Sequence, residues 1–457
     1  MAPALEILIC ILVLGLTTLL LVRNVHPVSV LLMMGLLMLA VSVATGTSDV
    51  PLAQPTGSTF FDIFRFIEEK FAGSLVKLGF MIMSIGGYVA LMNCIKATDA
   101  MVYIASKPLS FLRGKPYLAA CLSIPIGMLL YLTIPSASGL GLLLVSTVYP
   151  ILVSLGVSKL TAISVISAAT VFDMGPGSAN TLNAATLVGM DHIEYFVSFQ
   201  LRHIIPTTLL LLVVYYFVNR YFDKKDLAAG KKIYDDAAGK CVKPDVPLYY
   251  AVFPVLPLVL LIVFSKYFGL FDVNITTTVA MLVCVVLTAL ALLIRSRRLK
   301  ETFAILKSFW DGMGSVFSSV VALIVAAEVF AAGLNSLHFI DLLVKGTSSV
   351  GLGAGAVTIM MMAVIFLSAI IMGSGNAAFF SFGPLIPGIA SSFGASATQM
   401  ILPIQLCAGM GRGASPIAAV NVAIAGAVGV SPMELAKRNM IPMSAGCLFL
   451  ILLNYIC

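Results

Sequence analysis

Charged residues are scarce in this chain: they make up 10% of its 457 residues, whereas 60% are hydrophobic. Soluble domains carry about 25% charged residues, so the composition excludes an ordinary soluble protein. We therefore predict an all-α polytopic membrane protein that lies in the lipid bilayer and has no nucleic-acid partner. Apolar runs long enough to cross a bilayer as helices lie at residues 7–22, 28–44, 75–92, 196–218, 249–263, 276–294, 316–334 and 358–372.

Histidine is rare as well, with four residues, and the eight cysteines stand singly, mostly inside apolar runs. This spacing indicates neither a disulfide framework nor a metal site. A glycine-rich phosphate loop followed by Lys-Ser/Thr is absent, which argues against an ATP-driven pump. Paired histidines and a Ser-Lys arrangement are absent too, which argues against a membrane-embedded enzyme. We expect a carrier driven by ion gradients, with no catalytic residue and no cofactor apart from a candidate coupling ion, Na⁺.

What the sequence does contain is an internal repeat. Residues 134–189 resemble residues 372–429, and both copies hold polar, glycine-rich stretches inside apolar segments. Ser136 and Ser374 occupy matching places, 238 positions apart (374 − 136). Unwound backbone at membrane depth is tolerated only where it is buried in protein or lines a cavity. Paired breaks of this kind therefore point to the binding site of a transporter.

Lysine and arginine are concentrated in a few loops, which accounts for the net charge of +7. They cluster at 96–115, 220–243, 295–307 and 437–438, whereas the loop 45–71 is acidic. The positive-inside rule places the basic loops in the cytoplasm and both chain termini outside. In a bacterial inner membrane, the termini are thus predicted to be periplasmic.

The same rule orients the two copies oppositely. The loop 96–115 is predicted to be cytoplasmic, whereas its counterpart, 336–350, has one lysine and one aspartate and is predicted to lie outside. We therefore predict two inverted-topology repeats, at 1–220 and 247–457, joined by a cytoplasmic linker at 221–246.

Each repeat has a polar tip between two apolar segments. In the first repeat the segments 117–134 and 140–155 flank the tip 136–138, and in the second the tip is 373–376. Charge does not distinguish two full spans from a re-entrant hairpin, because either leaves an odd number of crossings. The polar tip favours the hairpin, since a loop in water needs no tight Ser/Gly turn between apolar residues.

Arg412 is flanked by glycines in the middle of an apolar region. A charge at membrane depth costs about 2.5 to 3.5 kcal/mol on insertion scales and is by default a functional-site hypothesis. The planar guanidinium matches a carboxylate with two hydrogen bonds, so an organic anion is the natural ligand. The alternative is a structural arginine that caps broken-helix carbonyls or pairs with an acid.

Two acidic residues also lie deep in apolar sequence. Asp173 occupies the corresponding break of the first repeat, where it could help hold Na⁺, carry a coupling proton, or pair with Arg412 when the site is empty. Glu328 is the other deep acid, and a role in ion coupling competes with a structural role towards neighbouring helices.

The candidate site residues lie at the tips, at the breaks or at these deep charges, and they offer hydroxyls, amides and backbone N–H groups. The substrate-binding candidates are Ser136, Ala137, Ser138, Gly139, Ser374, Gly375, Asn376, Arg412 and Ser415. The ion-coupling candidates are Asp173, Ser178, Asn180 and Glu328. Hard oxygen ligands suit Na⁺, for which the candidates are Ser136, Ser138, Ser374 and Asn376. The alternative for any single serine is a hydrogen bond to its own helix backbone.

Several stretches resemble one family. They are SASGLGLLLVSTVYPILVSLG, GSGNAAFFSFGPLIP and MGRGASPIAAV, with SKPL at 106–109 and YFDKKD at 221–226. Together they are similar to the DcuC family of anaerobic four-carbon dicarboxylate carriers, which is grouped with the ion transporter superfamily. The similarity extends along nearly the whole chain.

The resemblance implies repeats with about five transmembrane helices, a re-entrant hairpin and a broken helix each. It implies scaffold helices at 1–95 and 247–335 that form a homodimer, and transport parts at 116–206 and 351–442 that move as an elevator. It also implies a bacterial inner-membrane carrier that takes up, exports or exchanges succinate, fumarate, malate or aspartate. Coupling to Na⁺ and coupling to H⁺ both stay open, because the tips match the Ser-Asn-Thr motif of better-known superfamily members only loosely.

Other functions remain to be weighed against this one. One deep cation is fewer than two carboxylates would use, so a carrier of another organic anion, such as a monocarboxylate or amino-acid derivative, is the first alternative. A channel is the second, although a channel does not require inverted broken helices.

Overall fold

The computed structural model describes residues 3–23, 25–112, 114–235, 243–264, 273, 275–349 and 353–456, and across these residues every regular element is a helix. Seven of the helical stretches in this part are long and apolar enough to cross a membrane, or eight if the pair Phe80–Cys94 and Ala97–Leu109, bent by 79°, counts as one span. The predicted all-α membrane fold is therefore confirmed. Residues 236–242 of the predicted linker and 351–352 of the second transport part lie outside the described residues.

Eleven α-helices precede the linker. They are α1 Pro3–Val22, α2 Pro27–Ala44, α3 Thr59–Ser74, α4 Phe80–Cys94, α5 Ala97–Ser106, α6 Pro116–Tyr131, α7 Ala137–Ser154, α8 Lys159–Ala168, α9 Ala179–Leu187, α10 His192–Glu194 and α11 Leu201–Ala228. Turns of π-helix join α3 to α4, at Leu75–Gly79, and α10 to α11, at Tyr195–Gln200.

Eleven more follow the linker. They are α12 Leu256–Val263, α13 Thr277–Ser296, α14 Leu299–Val316, α15 Ala322–Ser336, α16 Phe339–Ser349, α17 Ala354–Met372, α18 Gly375–Phe382, α19 Ile386–Ser392, α20 Ala397–Gly413, α21 Ala419–Val428 and α22 Pro432–Ile456. A 3₁₀ segment, Leu248–Val255, precedes α12, and a π-helical turn, Phe317–Val321, joins α14 to α15.

The order of elements repeats with the spacing seen in the sequence. Helices α15 and α16 begin 242 residues after α4 and α5 (322 − 80 and 339 − 97), and the π-helical turns before α4 and α15 keep the same spacing (317 − 75). Helices α17, α18 and α20 begin 238 residues after α6, α7 and α8 (354 − 116, 375 − 137 and 397 − 159). The duplication therefore extends to the helix boundaries, while the opposite orientation of the copies across the membrane stays a prediction.

The same residue types set those boundaries in both copies. Ser158 caps α8 by accepting a hydrogen bond from the Thr161 N–H, and Ser396 caps α20 by accepting one from the Gln399 N–H. Such caps satisfy donors that the first helical turn leaves unpaired. Gly156 ends the helical run before α8 with a φ of +86°, and its counterpart Gly394 has a φ of +63°, a conformation that glycine adopts without strain.

Glycines also permit the closest helix crossings. A Cβ on Gly87 of α4 would lie 2.6 Å from the carbonyl oxygen of Phe309 in α14, and one on Gly312 would lie 2.9 Å from the carbonyl oxygen of Gly86. A Cβ on Gly409 of α20 would lie 1.9 Å from the carbonyl oxygen of Val171. Small residues thus bring the backbones of the two repeats into contact, as is usual for packed transmembrane helices.

A buried cluster of charges ties α8, α11 and α22 together. Arg438 of α22, whose side chain is 2% exposed, lies 2.6 Å from Asp223 and 3.0 Å from Asp226, both of α11. Ser158 and Thr161 donate to the Asp223 carboxylate at 2.8 and 2.9 Å. The two repeats are therefore joined at this end by a paired and hydrogen-bonded cluster, the condition under which buried charge is tolerated.

The beginning of the predicted linker differs from expectation. Helix α11 continues through residue 220 to Ala228, so the first eight residues of the predicted linker are helical. The cause is Asp223 and Asp226, whose pairing with Arg438 needs the helix to continue past the apolar run. Beyond α11, Asp235 binds the Tyr149 hydroxyl at 2.7 Å and lies 3.4 Å from Lys159 Nζ, so this part of the linker packs against the first repeat.

We predict that Gly409→Ala destabilises the protein, because its methyl group would collide with the carbonyl oxygen of Val171. Overpacking of this kind costs about 1 to 3 kcal/mol. Thermal unfolding in detergent should show a lower midpoint. Gly314→Ala in α14 is the control, since a Cβ there meets nothing within 4 Å. Equal midpoints for the two variants would contradict the packing described.

We also predict that Asp223→Ala destabilises the protein by about 3 to 5 kcal/mol, because Arg438 loses a partner while it stays buried. Glu301→Ala, which breaks an exposed pair with Arg298, should leave stability nearly unchanged. Thermal unfolding of both variants checks the difference. Similar stability for the two would show that the buried cluster does not hold the helices together.

Candidate functional site

A cavity of about 770 Å³ lies where the tips and breaks of both repeats meet. The first repeat contributes its tip at 135–138 and its break at 173–180, and the second contributes its tip at 373–376 and Arg412. Segments that are far apart in sequence thus share one polar space. The fourth wall comes from α4 and α14.

The two tips have the same construction. Ser136 caps α7 by accepting a hydrogen bond from the Gly139 N–H at 3.3 Å, and Ser374 caps α18 by accepting one from the Ala377 N–H at 3.1 Å. Two helix N-termini therefore begin at the cavity, and each carries the partial positive charge that attracts anions. The serine hydroxyls stabilise these N-termini, so the alternative of a hydrogen bond to their own helix applies to them.

The tip of the second repeat depends on close backbone packing. Gly373 ends α17 with a φ of +66°, and a Cβ there would lie 2.9 Å from the carbonyl oxygen of Ile417. A Cβ on Gly375 would lie 2.9 Å from the carbonyl oxygen of Ala408 in α20. The tip is therefore packed directly against the second break, and only glycine fits at both positions.

The first break is the irregular segment between α8 and α9. Asp173 lies there with a φ of +41°, an uncommon conformation for a residue other than glycine. Its carbonyl oxygen accepts hydrogen bonds from the Ser178 hydroxyl at 2.6 Å and the Thr181 hydroxyl at 3.3 Å. The turn is therefore held by side chains from the start of the following helix.

The second break, between α20 and α21, is held by a single amide. The Asn421 Nδ2 group donates to the carbonyl oxygens of Gly413 at 3.0 Å and Ser415 at 2.8 Å, and its Oδ1 accepts from the Ser167 hydroxyl of α8 at 2.7 Å. The carbonyls that the broken helix frees are thus satisfied inside the protein, as burial requires. Asn421 also links this break to the first repeat.

An ion pair joins the two breaks. Arg412 Nη1 lies 2.7 Å from Asp173 Oδ2, and both side chains are at most 10% exposed. Arg412 Nη2 donates to the carbonyl oxygen of Thr170, and the Tyr131 hydroxyl donates to Asp173 Oδ1. Asn180 Nδ2 donates to Asp173 Oδ2 at 3.1 Å. The carboxylate thus receives hydrogen bonds from α6, α9 and α20.

Two polar atoms of this network keep unused hydrogen-bonding capacity. Arg412 Nε and Asn180 Oδ1 are buried and have no hydrogen-bond partner among the described residues. Both residues line the cavity. Buried polar groups normally have a partner, so a free donor and a free acceptor beside a cavity indicate that a ligand completes the site.

The wall formed by α4 and α14 has two characters. The α4 side is mainly apolar, with Ile82, Ile85 and Val89, whereas the α14 side carries serines at regular helical spacing, from Ser308 to Ser319. Asp311 lies on this side as well, 3.7 Å from Lys307 and with 64% of its side chain exposed. The polar stripe provides a wetted path along the cavity.

Most of the predicted site residues meet at this cavity. Those that line it are Ser136, Ala137, Ser138, Asp173, Ser178, Asn180, Ser374, Asn376 and Arg412. The lining residues within the described part of the chain do not include Gly139, Gly375, Ser415 or Glu328.

Each of these four residues has another place in the structure. Gly139 donates its N–H to the cap of α7, and Gly375 packs on α20. The Ser415 hydroxyl donates to the carbonyl oxygen of Ile370 at 2.6 Å, which ties the second break to α17. Both carboxylate oxygens of Glu328 accept from the Ser74 hydroxyl at 2.9 Å, so this acid lies between α3 and α15, away from the cavity.

Sequence reasoning missed Tyr131 and an amide pair. Tyr131 is the last residue of α6 and looked like part of an apolar run, although a hydroxyl five residues before the tip was a usable signal. Gln200 Nε2 donates to Gln405 Oε1 at 3.1 Å and also binds Thr181, which links α9, α20 and the π-helical turn before α11. Two glutamines in apolar helices predict a buried contact, but the sequence does not show that they pair.

Comparison with known proteins agrees with this geometry. The family model described as "C4-dicarboxylate anaerobic carrier" matches residues 5–456. The chain belongs to the DcuC family. It is 30% identical over 431 residues to the anaerobic C4-dicarboxylate transporter DcuC of Escherichia coli K12, covering 94% of this chain and 92% of that one. It is 31% identical over 438 residues to the probable anaerobic C4-dicarboxylate transporter DcuC of Vibrio cholerae, covering 94% and 93%.

Two solved transporters have the same fold. MtrF of Neisseria gonorrhoeae, described with a class of antimetabolite efflux pumps, superposes with a TM-score of 0.62 at 15% identity over 94% of each chain. The YdaH transporter of Alcanivorax borkumensis, described as having an unusual topology, superposes with a TM-score of 0.56 at 14% identity, over 94% of this chain and 98% of that one. At these identities the likeness concerns the fold alone.

We predict that cysteines introduced at the two tips are accessible from one aqueous space. In a variant without other reactive cysteines, Ser138→Cys and Asn376→Cys should react with a hydrophilic thiol reagent, because both positions line the cavity. Ser123→Cys, at a position 4% exposed inside α6, should not react. The rate of labelling, followed by mass spectrometry, checks this. Labelling of only one tip would mean that the tips do not share the cavity.

Proposed function

We propose that this chain is a secondary active carrier of four-carbon dicarboxylates such as succinate, fumarate, malate and aspartate, moved by uptake, efflux or exchange. The observation that carries the proposal is the position of Arg412: a single buried guanidinium lies where both tips and both breaks meet at one cavity. The relatives at about 30% identity are named C4-dicarboxylate transporters, which supplies the substrate class.

Arg412 binds one carboxylate of the substrate. Its Nε is unpartnered, so one edge of the guanidinium has a donor available beside the cavity. A charge-assisted hydrogen bond of this kind is about twice as strong as a neutral one. The second carboxylate binds at the tips, where the N-termini of α7 and α18 begin and where Ser138 and Asn376 offer polar side chains.

Charge supports coupling to a cation. Among the described residues that line the cavity, the charged side chains are Arg412, Asp173 and Asp311. Arg412 and Asp173 already neutralise each other, so a bound dianion leaves two negative charges without partners at depth. Buried charge of that kind is costly unless a cation accompanies it. Na⁺ or H⁺ fills that role, and Asp173, Ser178 and Asn180 are the groups placed to receive it.

The fold supports alternating access by an elevator movement. Tips and breaks of both repeats form one side of the cavity, and α4 and α14 form the other. A substrate held between such parts is carried when one part slides past the other. In the bacterial inner membrane we place both termini outside, from the positive-inside rule. The homodimer that the family resemblance implies stays a prediction.

Transport by the purified protein in proteoliposomes tests the proposal. Labelled fumarate should accumulate under an imposed Na⁺ or pH gradient, and succinate and malate should compete for uptake better than lactate. Arg412→Ala should raise the KM for fumarate by roughly 10- to 100-fold, since a hydrogen-bonded charge pair is lost. Arg298→Ala, an exposed arginine, is the control. Normal fumarate affinity in Arg412→Ala, or stronger competition by lactate, would overturn the assignment.

A further inference from the structure

We propose that Asp173 acts as an internal substitute for a substrate carboxylate: an entering dicarboxylate displaces it from Arg412, and the released carboxylate takes up one proton. This inference rests on the proposed function, because it requires that Arg412 binds the substrate. It adds the identity of the coupling ion, the residue that carries it and the event that triggers its binding.

The first step of the argument is the resemblance between Asp173 and a bound ligand. Its carboxylate lies at the cavity and accepts hydrogen bonds from the Tyr131 hydroxyl, from Asn180 Nδ2 and from Arg412 Nη1. A substrate carboxylate at Arg412 needs the same guanidinium donors. Two carboxylates at one guanidinium repel each other, so the internal one must leave or lose its charge when the external one binds.

The second step concerns what the released carboxylate meets. Besides Arg412 of α20, the groups that face Asp173 are Tyr131 from α6 and Asn180 and Thr181 from α9, with Ser178 in its own turn. Arg412 is the only cation among these contacts. Once the guanidinium turns to the substrate, a buried carboxylate keeps neutral partners alone, and burial without a cation strongly favours its neutral, protonated form.

The third step is that the site can accommodate the protonated form. A protonated carboxyl group donates one hydrogen bond and therefore needs an acceptor. Asn180 Oδ1 is a buried acceptor with no partner in the described part of the chain, and it belongs to the amide that already contacts Asp173. The Tyr131 hydroxyl can also accept. A set of Na⁺ ligands would instead present several oxygen acceptors to the cation, whereas Asp173 is surrounded mainly by donors.

The step balances in charge and protons. On binding, an O–H bond forms between Asp173 and a proton from the water of the cavity, and the ion pair between Asp173 and Arg412 gives way to one between the substrate and Arg412. On release, the proton leaves Asp173 and the original pair forms again. One proton therefore moves with each dicarboxylate, and re-formation of the pair helps to expel the substrate.

Proton uptake during binding tests this directly. Calorimetric titration of the purified full chain with fumarate, a dianion throughout the range from about pH 6.5 to about pH 8.5, in buffers with different ionisation enthalpies gives the number of protons bound. We expect about one proton per fumarate for the wild-type protein. Because binding takes up a proton, affinity should fall as pH rises, by about tenfold per pH unit.

Asp173→Asn removes the internal carboxylate while it keeps the size of the side chain. We expect fumarate binding without proton uptake, with an affinity that no longer depends on pH and that exceeds the wild-type affinity at high pH. The matched control is Asp311→Asn, a carboxylate of the same cavity that does not contact Arg412 in the described structure, and it should keep the uptake of about one proton.

Tyr131→Phe extends the test if Asp173→Asn does not fold. It removes a hydrogen bond that stabilises ionised Asp173, so proton uptake should persist and the fall in affinity should begin at a higher pH. Fumarate binding without proton uptake in the wild type, proton uptake that survives in Asp173→Asn, or binding that depends on Na⁺ instead would overturn the inference and leave the proposed function in place. A wild-type protein that does not bind fumarate would overturn the proposed function itself.

Discussion

A guanidinium and a carboxylate lie 2.7 Å apart where the two halves of the chain cross, at most 10% exposed. Buried charges at membrane depth must be paired and hydrogen-bonded, and this requirement constrains everything around them. Arg412 can meet Asp173 only because α20 approaches the first break closely, with glycine at 409 against the carbonyl oxygen of Val171. The breaks, the glycines and the cavity are consequences of placing one charge from each repeat at the same point.

The architecture repeats but the chemistry does not. Helix boundaries, serine caps and left-handed glycines recur at constant spacing in both copies. The two breaks nonetheless carry opposite charges, one at Asp173 and one at Arg412. A symmetric scaffold thus surrounds an asymmetric site, in which the second repeat is suited to an anion and the first to a proton or other cation. Anion binding and cation binding are linked because both act on one ion pair.

Much of this could be predicted from the sequence, for identifiable reasons. Membrane helices follow from apolar runs, and a duplicated motif marks Ser136, Ser374, Asp173 and Arg412 because polar residues in an apolar segment need a buried partner. Contacts between distant segments are different. Glu328 looked like a site residue because depth alone was visible, whereas its hydrogen bonds with Ser74 depend on how α3 and α15 pack. Tyr131 and the Asp223–Arg438 pair likewise become meaningful only when helices far apart in sequence meet.

The central claim is that the substrate and Asp173 compete for Arg412. The most direct measurement is an experimental structure of the protein with bound fumarate, by electron cryomicroscopy, at a resolution that shows side chains. The account predicts a fumarate carboxylate on the Arg412 guanidinium, with Asp173 moved away from it and still in contact with Asn180 or Tyr131. Fumarate bound elsewhere, with the pair between Arg412 and Asp173 intact, would contradict it.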